Sequence, residues 1–154
     1  ILFMKKIIWL SSFPKSGNTW VRHLLSNYYF NEDKVFDFHI AKKIKKFRVE
    51  KSLRKAIDKD NIVNSLKYNS KFWIESQENW KTEEEILFLK NHNANVAFGN
   101  NFFTNEKISQ AIIYIVRDPR DIVLSASHFW KKSADWVIEK ICDDEYFTSV
   151  NLND

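Results

Sequence analysis

The sequence predicts an α/β domain in which helices cover both faces of a central parallel sheet. Three short apolar runs support this prediction, at residues 7–10, 86–89 and 111–116. Because polar residues do not alternate with the apolar ones, the runs are typical of strands covered on both faces, as in parallel sheets. A turn and a helical pattern follow the first and third runs, and this repeated strand–turn–helix order is typical of a doubly wound fold.

The first unit joins the run at residues 7–10 to a helix that begins close to Trp20. Apolar side chains recur at helical spacing from Trp20 to Tyr29, and Arg22 and Ser26 are among the polar residues between them. This spacing predicts an amphipathic helix with one apolar face.

The second unit joins the run at residues 111–116 to a helix with a strong start signal. Asp118 is placed to cap the helix, Pro119 suits its first position, and Asp121 suits the positively polarised first turn. The apolar residues that share one face of this helix are Ile122, Ala126 and Phe129.

Composition indicates one ordered domain over residues 1–154. Hydrophobic residues make up 44% of the chain, and only two glycines and two prolines are present, which excludes collagen-like and low-complexity classes. The single cysteine, Cys142, excludes an internal disulfide, and the reducing cytoplasm is the expected compartment. No apolar run approaches the roughly 20 residues that span a bilayer. We therefore expect no membrane span. The four histidines lack metal-ligand spacing, so we expect no metal.

Charge is unevenly distributed along the chain. Residues 42–55 contain eight bases and one acid, whereas residues 135–154 contain six acids and one base. A basic segment is a candidate nucleic-acid surface, but Val49 and Leu53 lie at helical spacing within it. We therefore interpret the segment as a helix with a solvated basic face, and we expect no nucleic-acid partner.

The most informative stretch is Phe13-Pro-Lys-Ser-Gly-Asn-Thr-Trp20, which joins a predicted strand to a predicted helix. Helix N-terminal amides carry partial positive charge, and Gly17 lets the backbone approach an anion closely. Lys15 adds a full positive charge, and Ser16 and Thr19 add hydroxyl donors. The stretch is a candidate phosphate-binding turn; the alternative is an ordinary turn with a solvated lysine.

A second candidate phosphate site combines Arg117, at the exit of the third predicted strand, with Ser125 on the helix that follows. A guanidinium fork at a strand end suits a phosphate monoester. The alternative is that Arg117 pairs with Asp118 or Asp121 and that Ser125 is merely small enough for helix packing.

Together the two stretches resemble the cofactor-binding signatures of the sulfotransferase family. Residues 13–20 are similar to the family's Tyr/Phe-Pro-Lys-Ser-Gly-Thr/Asn-Thr-Trp loop, which holds the 5′-phosphosulfate of 3′-phosphoadenosine 5′-phosphosulfate (PAPS). Arg117 followed by Ser125 is similar to its 3′-phosphate motif. The resemblance implies a three-layer sulfotransferase fold, related to that of P-loop NTPases, and PAPS as the sulfuryl donor without a metal.

A third stretch gains its meaning from this resemblance. Lys90-Asn91-His92 looks like the family's Lys-Thr-His segment, with Asn91 in place of the threonine. In an extended strand residues 90 and 92 point to the same side. The resemblance implies that His92 is the catalytic base and that Lys15 and Lys90 stabilise negative charge, although a histidine at a strand end is otherwise more often structural.

The resemblance also implies a role for each residue of the donor site. The residues carried over as cofactor ligands are Lys15, Ser16, Gly17, Asn18, Thr19, Trp20, Arg117 and Ser125. Trp20 would lie beneath the adenine; its alternative is a core residue. The implied acceptor is a small molecule or a carbohydrate with a hydroxyl or amine, and residues 133–146 are predicted as an amphipathic helix near its pocket.

The family has a further signature, Arg-Lys-Gly-x-x-Gly-Asp-Trp-Lys-Asn, nearer its C-terminus. No glycine follows Gly99, so this motif is missing, and the resemblance covers residues 6–141. We therefore expect a partial domain, a fragment of a longer chain. Two alternatives to a sulfotransferase remain: a module that binds phosphoadenosine nucleotides without transfer, and a nucleic-acid-binding domain that uses residues 42–55.

Overall fold

A computed structural model of the chain describes residues 6–33, 35–55, 61–84, 86–93 and 97–143. Its centre is a parallel four-stranded sheet. Its strands are β1 (Ile7–Ser12), β2 (Lys45–Lys46), β3 (Leu87–Asn91) and β6 (Ser109–Ile115). Between β3 and β6 in the chain, β4 (Ala97–Phe98) and β5 (Asn101–Phe102) form a separate small antiparallel pair. The order across the sheet is β2-β3-β1-β6.

Helices lie on both faces of this sheet, as predicted. They are α1 (Asn18–Phe30), α2 (Ile62–Ser70), α3 (Trp73–Glu78), α4 (Pro119–Trp130) and α5 (Ala134–Ile141), with a 3-10 helix at His39–Lys43. On one face the ring of Tyr29 packs 5.1 Å from that of Phe88. On the other face Trp73 of α3 joins Trp9 and Leu89 in one buried cluster. Because Phe88 and Leu89 point to opposite sides of β3, the two contacts lie on opposite faces of the sheet.

The core is built on the α3 face. Its buried residues are Ile7, Trp9, Phe47, Trp73, Leu87, Leu89, Phe103 and Ile108. Burial of each large apolar side chain stabilises the fold by about 1.5–3 kcal/mol. The Trp9 indole also donates a 2.8 Å hydrogen bond to Ser109 Oγ, so its polar atom is satisfied inside the core.

The carboxyl ends of β1, β3 and β6 meet at one edge of the sheet. Ser11 is paired with Asn91 of β3 and with Tyr114 of β6, and Ser12 is paired with Ile115. Segments that follow these strands are therefore neighbours, and this is the edge at which open parallel sheets bind ligands.

The third strand departs from its prediction. We predicted that residues 111–116 are covered on both faces, but Ile112 and Tyr114 of β6 are 55% and 64% exposed. The prediction is wrong because β6 is an outermost strand of the sheet and pairs with β1 alone within the described residues. An apolar run establishes the strand but not its position in the sheet.

Helix α1 is confirmed as a helix, but its apolar face is not buried as a unit. Trp20, Leu24 and Tyr28 are 71%, 59% and 80% exposed, whereas Ser26 is fully buried. The helix turns the side that carries Ser26 and Tyr29 toward the sheet, and the small serine permits close approach there.

The basic segment is not the predicted helix. Within residues 42–55 the 3-10 helix ends at Lys43, β2 follows, and the remainder is turn and irregular backbone. Burial of Ile44 and Phe47 explains the difference, because these side chains draw the segment against β3 as an edge strand.

The start of α4 matches its prediction. The Asp118 carboxylate accepts a 2.9 Å hydrogen bond from the Arg120 backbone amide, and Pro119 occupies the first turn. The helix predicted at residues 133–146 is observed as α5, capped by Ser133. It ends at Ile141, earlier than predicted, and residues 144–146 lie outside the described residues. None of the helices in the described ranges is long and apolar enough to cross a membrane.

Candidate active site

The loop between β1 and α1 has a backbone suited to anion binding. Gly17 has φ 98°, a left-handed conformation that glycine adopts without strain, and it forms the N-cap of α1. Lys15 is also left-handed, with φ 69°, a conformation that is uncommon for a residue with a side chain. The Ser16 amide donates a 3.3 Å hydrogen bond to the Phe13 carbonyl and closes the turn.

The first turn of α1 differs from those of α4 and α5. Side chains of Asp118 and Ser133 cap α4 and α5, whereas no side chain caps α1 and no acidic residue lies in its first turn. The leading amides of α1 therefore lack a capping side chain, and an anion would satisfy them and complement the helix dipole.

Asn18 anchors this loop to the end of β1. Its side chain is 3% exposed, and Nδ2 donates hydrogen bonds of 3.1 Å to the Leu10 carbonyl and to Ser12 Oγ. The side-chain amide thus holds the loop in place, and both of its N–H groups are used. Only the backbone amide of Asn18 is left to donate to a bound phosphate.

The two predicted phosphate motifs meet in the fold. The Arg117 guanidinium donates a 3.1 Å hydrogen bond to the Lys15 carbonyl, and it also lies 3.7 Å from the Asp121 carboxylate. The Lys15 ammonium is 3.9 Å from the centre of the Phe129 ring on α4. Both contacts hold the loop after β1 against the segment after β6. Arg117 thus makes both contacts: the ion pair with Asp121 that we considered as the alternative, and the hydrogen bond to Lys15 that joins the two motifs.

The remaining predicted donor ligands differ in exposure. Ser16 is buried, and its Oγ has no hydrogen-bond partner in the described part of the chain. Thr19 and Trp20 are exposed, so Trp20 is not the core residue that we considered as an alternative. Ser125 lies half-buried on α4, two turns beyond Arg117.

His92 follows β3 directly and is held by the end of β1. Its Nδ1 lies 2.9 Å from the Ser12 carbonyl oxygen and 3.2 Å from Ser12 Oγ. A carbonyl oxygen only accepts, so Nδ1 carries the proton and the neutral ring presents an unprotonated Nε2. Burial lowers the pKa of His92 below its ordinary value, against the opposing effect of the Ser12 hydrogen bond. The ring is therefore neutral at pH 7 and able to take a proton.

Lys90 lies on β3, two residues before His92, and positively charged side chains act on it electrostatically. Its pKa is lowered to about 8, first by burial and then by the charges of Arg22, Lys46 and Lys15. Lys90 also contributes to lowering the pKa of His92. The fold therefore brings the three predicted catalytic residues, Lys15, Lys90 and His92, into one electrostatic environment.

Arg22 and Lys46 are site neighbours that sequence reasoning missed. Neither belongs to a motif, and Lys46 comes beside Lys90 only because β2 pairs with β3. Burial lowers the pKa of Arg22, and its Nε has no hydrogen-bond partner in the described ranges.

One cleft lies apart from this end of the sheet. A cleft of about 510 Å³ runs beside β2, where its walls include Lys43, Trp80 and Glu84. Lys15, His92 and Arg117 do not line it. In the parts of the chain that are described, no three His, Cys, Asp or Glu side chains are grouped as a metal site requires.

Comparison with known proteins identifies the family. A family model described as a sulfotransferase domain matches residues 5–152. No curated protein and no solved structure matches the chain significantly. The matched range spans the loop after β1, the end of β3 and the start of α4, which form the candidate site. The chain belongs to the sulfotransferase domain family.

Proposed function

We propose that this protein transfers a sulfuryl group from PAPS to the hydroxyl or amine of an acceptor by in-line displacement. Family membership supports sulfuryl transfer in general. The observation that carries the specific proposal is the His92 ring, which the Ser12 carbonyl holds through Nδ1 so that Nε2 is unprotonated, at the same end of the sheet as Lys15 and Lys90.

The loop after β1 fits the donor's phosphosulfate. The uncapped start of α1 offers the amides of Gly17, Asn18 and Thr19, and the buried Ser16 Oγ lacks a partner that a phosphate oxygen would supply. Lys15 adds the positive charge that this group requires. When bound, PAPS supplies the activated sulfuryl group.

The other end of the donor is assigned to Arg117 and Ser125. A guanidinium has five N–H donors, so the hydrogen bond of Arg117 to the Lys15 carbonyl leaves others for a 3′-phosphate. Trp20 is 71% exposed beside the same loop, which supports its assignment as the ring that stacks on adenine.

His92 and the two lysines divide the chemistry. His92 Nε2 removes the proton of the acceptor hydroxyl or amine, while the Nδ1 contact with Ser12 fixes the ring. Lys15 and Lys90 stabilise the charge that develops on the bridging oxygen and the sulfuryl oxygens. A small molecule or a carbohydrate is the proposed acceptor, and the single exposed thiol, Cys142, supports a reducing cytoplasmic setting.

The test is a transfer assay that follows adenosine 3′,5′-bisphosphate released from PAPS with a panel of phenols, sugars and amines. We expect His92→Ala to lower turnover by about 10²–10⁴-fold, the usual contribution of a general base, with nucleotide affinity retained. The matched control is His39→Ala, since His39 is exposed and outside the site. Nucleotide binding without transfer to any acceptor would favour the binding module instead.

A further inference from the structure

The Ser12 hydroxyl is a buried group beside His92 to which the proposed chemistry gives no role. Ser12 ends β1 and is 4% exposed. Its Oγ lies 3.2 Å from His92 Nδ1, the same nitrogen that the Ser12 carbonyl oxygen contacts at 2.9 Å. Nδ1 carries the proton because the carbonyl only accepts. The hydroxyl oxygen is therefore a second acceptor for the same N–H, in a three-centre hydrogen bond.

Two acceptors constrain the imidazole more than one does. A single hydrogen bond leaves the ring free to pivot about its acceptor, whereas a second oxygen beside the first restricts that motion. The second oxygen also adds to the preference for a proton on Nδ1, and this preference leaves the lone pair of Nε2 as the one that can accept a proton. The Ser12 hydroxyl thus helps to determine both the direction of the ring and the nitrogen that acts as the base.

The Asn18 side chain holds this hydroxyl in place. Its Nδ2 lies 3.1 Å from the Leu10 carbonyl oxygen, which only accepts, so the amide nitrogen rather than the amide oxygen faces the strand. The same Nδ2 lies 3.1 Å from Ser12 Oγ and donates its other hydrogen there. Because Asn18 is buried, either hydrogen bond is costly to lose.

Asn18 also belongs to the helix end that the proposed function assigns to the donor. It is the first residue of α1, where no side chain caps the leading amides. One residue therefore offers its backbone amide to the phosphosulfate and its side chain to Ser12, which contacts His92. These contacts fix the position of the base relative to the donor, and catalysis by in-line transfer depends on that relative position.

We infer that Ser12 and Asn18 are positioning residues for the transfer: the Ser12 hydroxyl, oriented by the Asn18 amide, fixes the His92 ring and its tautomer relative to the donor loop. This inference rests on the proposed function and adds two side chains to it. Neither side chain is assigned a contact with a reacting atom, so both act through His92.

The first test observes the ring directly and needs no turnover. Long-range nitrogen–proton NMR spectra at about pH 8, where imidazole is neutral, distinguish the two tautomers of each of the four histidines. His92 is assigned as the signal that His92→Gln removes. We expect the Nδ1–H form in the wild-type protein. Ser12→Ala should shift the tautomer ratio toward the Nε2–H form by about threefold to tenfold, because one acceptor of the Nδ1 proton is lost.

Asn18→Ala tests the second step of this chain of contacts. The Asn18 side chain makes no hydrogen bond to His92 in the described part of the chain, so a shift of the His92 tautomer in the same direction would show that it acts through Ser12. In the double variant Ser12→Ala/Asn18→Ala the shift should equal that of Ser12→Ala alone, since both changes act through one oxygen. Ser12→Ala exchanges two small side chains, so it tests the inference even if Asn18→Ala fails to fold.

The second test measures sulfuryl transfer from PAPS. Ser12→Ala should lower kcat about 10–100-fold because the base is misplaced, while affinity for adenosine 3′,5′-bisphosphate stays within about threefold. Ser12→Thr keeps the hydroxyl and should recover kcat to within about threefold of the wild type. The matched control is Ser11→Ala, because Ser11 is the preceding residue of β1, is also buried, and makes no hydrogen bond to His92. Ser11→Ala should change neither the tautomer nor kcat.

The outcomes separate the inference from the proposed function. A Ser12→Ala variant that keeps the wild-type tautomer or the wild-type kcat overturns the inference, and so does a defect that Ser11→Ala shares. A loss of bisphosphate affinity as large as the loss of kcat would also overturn it, because Ser12 would then serve donor binding. If no acceptor is sulfated, the proposed function alone is contradicted, and the His92 tautomer in Ser12→Ala still decides whether the hydroxyl positions the ring.

Discussion

The pH dependence of catalysis follows from the charge on Lys90. Its pKa of about 8 means that about nine-tenths of the side chain is charged at pH 7 and about one-tenth at pH 9. If the charged form stabilises the transition state, kcat/KM falls about tenfold per pH unit above pH 8. On the acid side, His92 must be neutral, and burial holds its pKa below the ordinary value of 6.5. The rate should therefore rise to a plateau below about pH 6.5 and decline above pH 8.

The decisive variant is Lys90→Arg, because a guanidinium stays charged throughout this range. The assay varies PAPS at low, fixed acceptor concentration, so that kcat/KM reports the free protein. An alcohol acceptor is used because it does not ionise between pH 6 and 10. The alkaline decline should disappear in Lys90→Arg.

Two further variants examine the cause of the lowered pKa. Lys46→Gln removes one of the like charges that act on Lys90, so the decline should move to higher pH, whereas Lys45→Gln should leave it in place. A wild-type profile that stays flat from pH 7 to 9.5 would refute the reasoning. So would a decline at pH 8 that persists in Lys90→Arg.

Three other predictions concern single side chains. Trp20→Ala should lower affinity for adenosine 3′,5′-bisphosphate about tenfold, and it should change the unfolding free energy by less than about 1 kcal/mol because the ring is exposed. Tyr28→Ala on the same helix should change neither quantity. Equal affinity in the two variants would exclude stacking of Trp20 on the adenine. Arg117→Ala should weaken binding of the same bisphosphate by about 2–3 kcal/mol in calorimetry and weaken binding of AMP much less. Equal losses of binding free energy for the two nucleotides would mean that Arg117 has a structural role. Asn18→Ala should cost about 1–3 kcal/mol in urea unfolding because it removes two buried hydrogen bonds, whereas exposed Asn64→Ala should be near neutral; a neutral Asn18→Ala would show that the loop is anchored otherwise.

Local sequence signals were sufficient for the parts of the site that lie within one strand–turn–helix unit. The turn from Lys15 to Gly17 and the cap at Asp118 depend on residues only a few positions apart, so their patterns identify them. The family resemblance, carried by the same short motifs, is confirmed by the family match over residues 5–152.

Features set by long-range pairing escaped the same reasoning. The exposure of Ile112 depends on where β6 lies in the sheet, and the position of Lys46 beside Lys90 depends on pairing between segments more than 40 residues apart. The helical spacing of Val49 within the basic segment was misleading because the local backbone is determined by burial of Ile44 and of Phe47, which joins Leu89 of β3 in the core. Arg22 gave no signal because the pattern of α1 assigned it to a polar face.

The central claim is that the loops after β1 and β6 together bind the donor nucleotide. Calorimetric titration of this chain with adenosine 3′,5′-bisphosphate, with AMP as the comparison, tests it most directly. We predict clear preference for the bisphosphate, since Arg117 and Ser125 are assigned to the 3′-phosphate and the start of α1 to the 5′-phosphate. Equal affinity for the two nucleotides, or no binding by a folded sample, would contradict the claim.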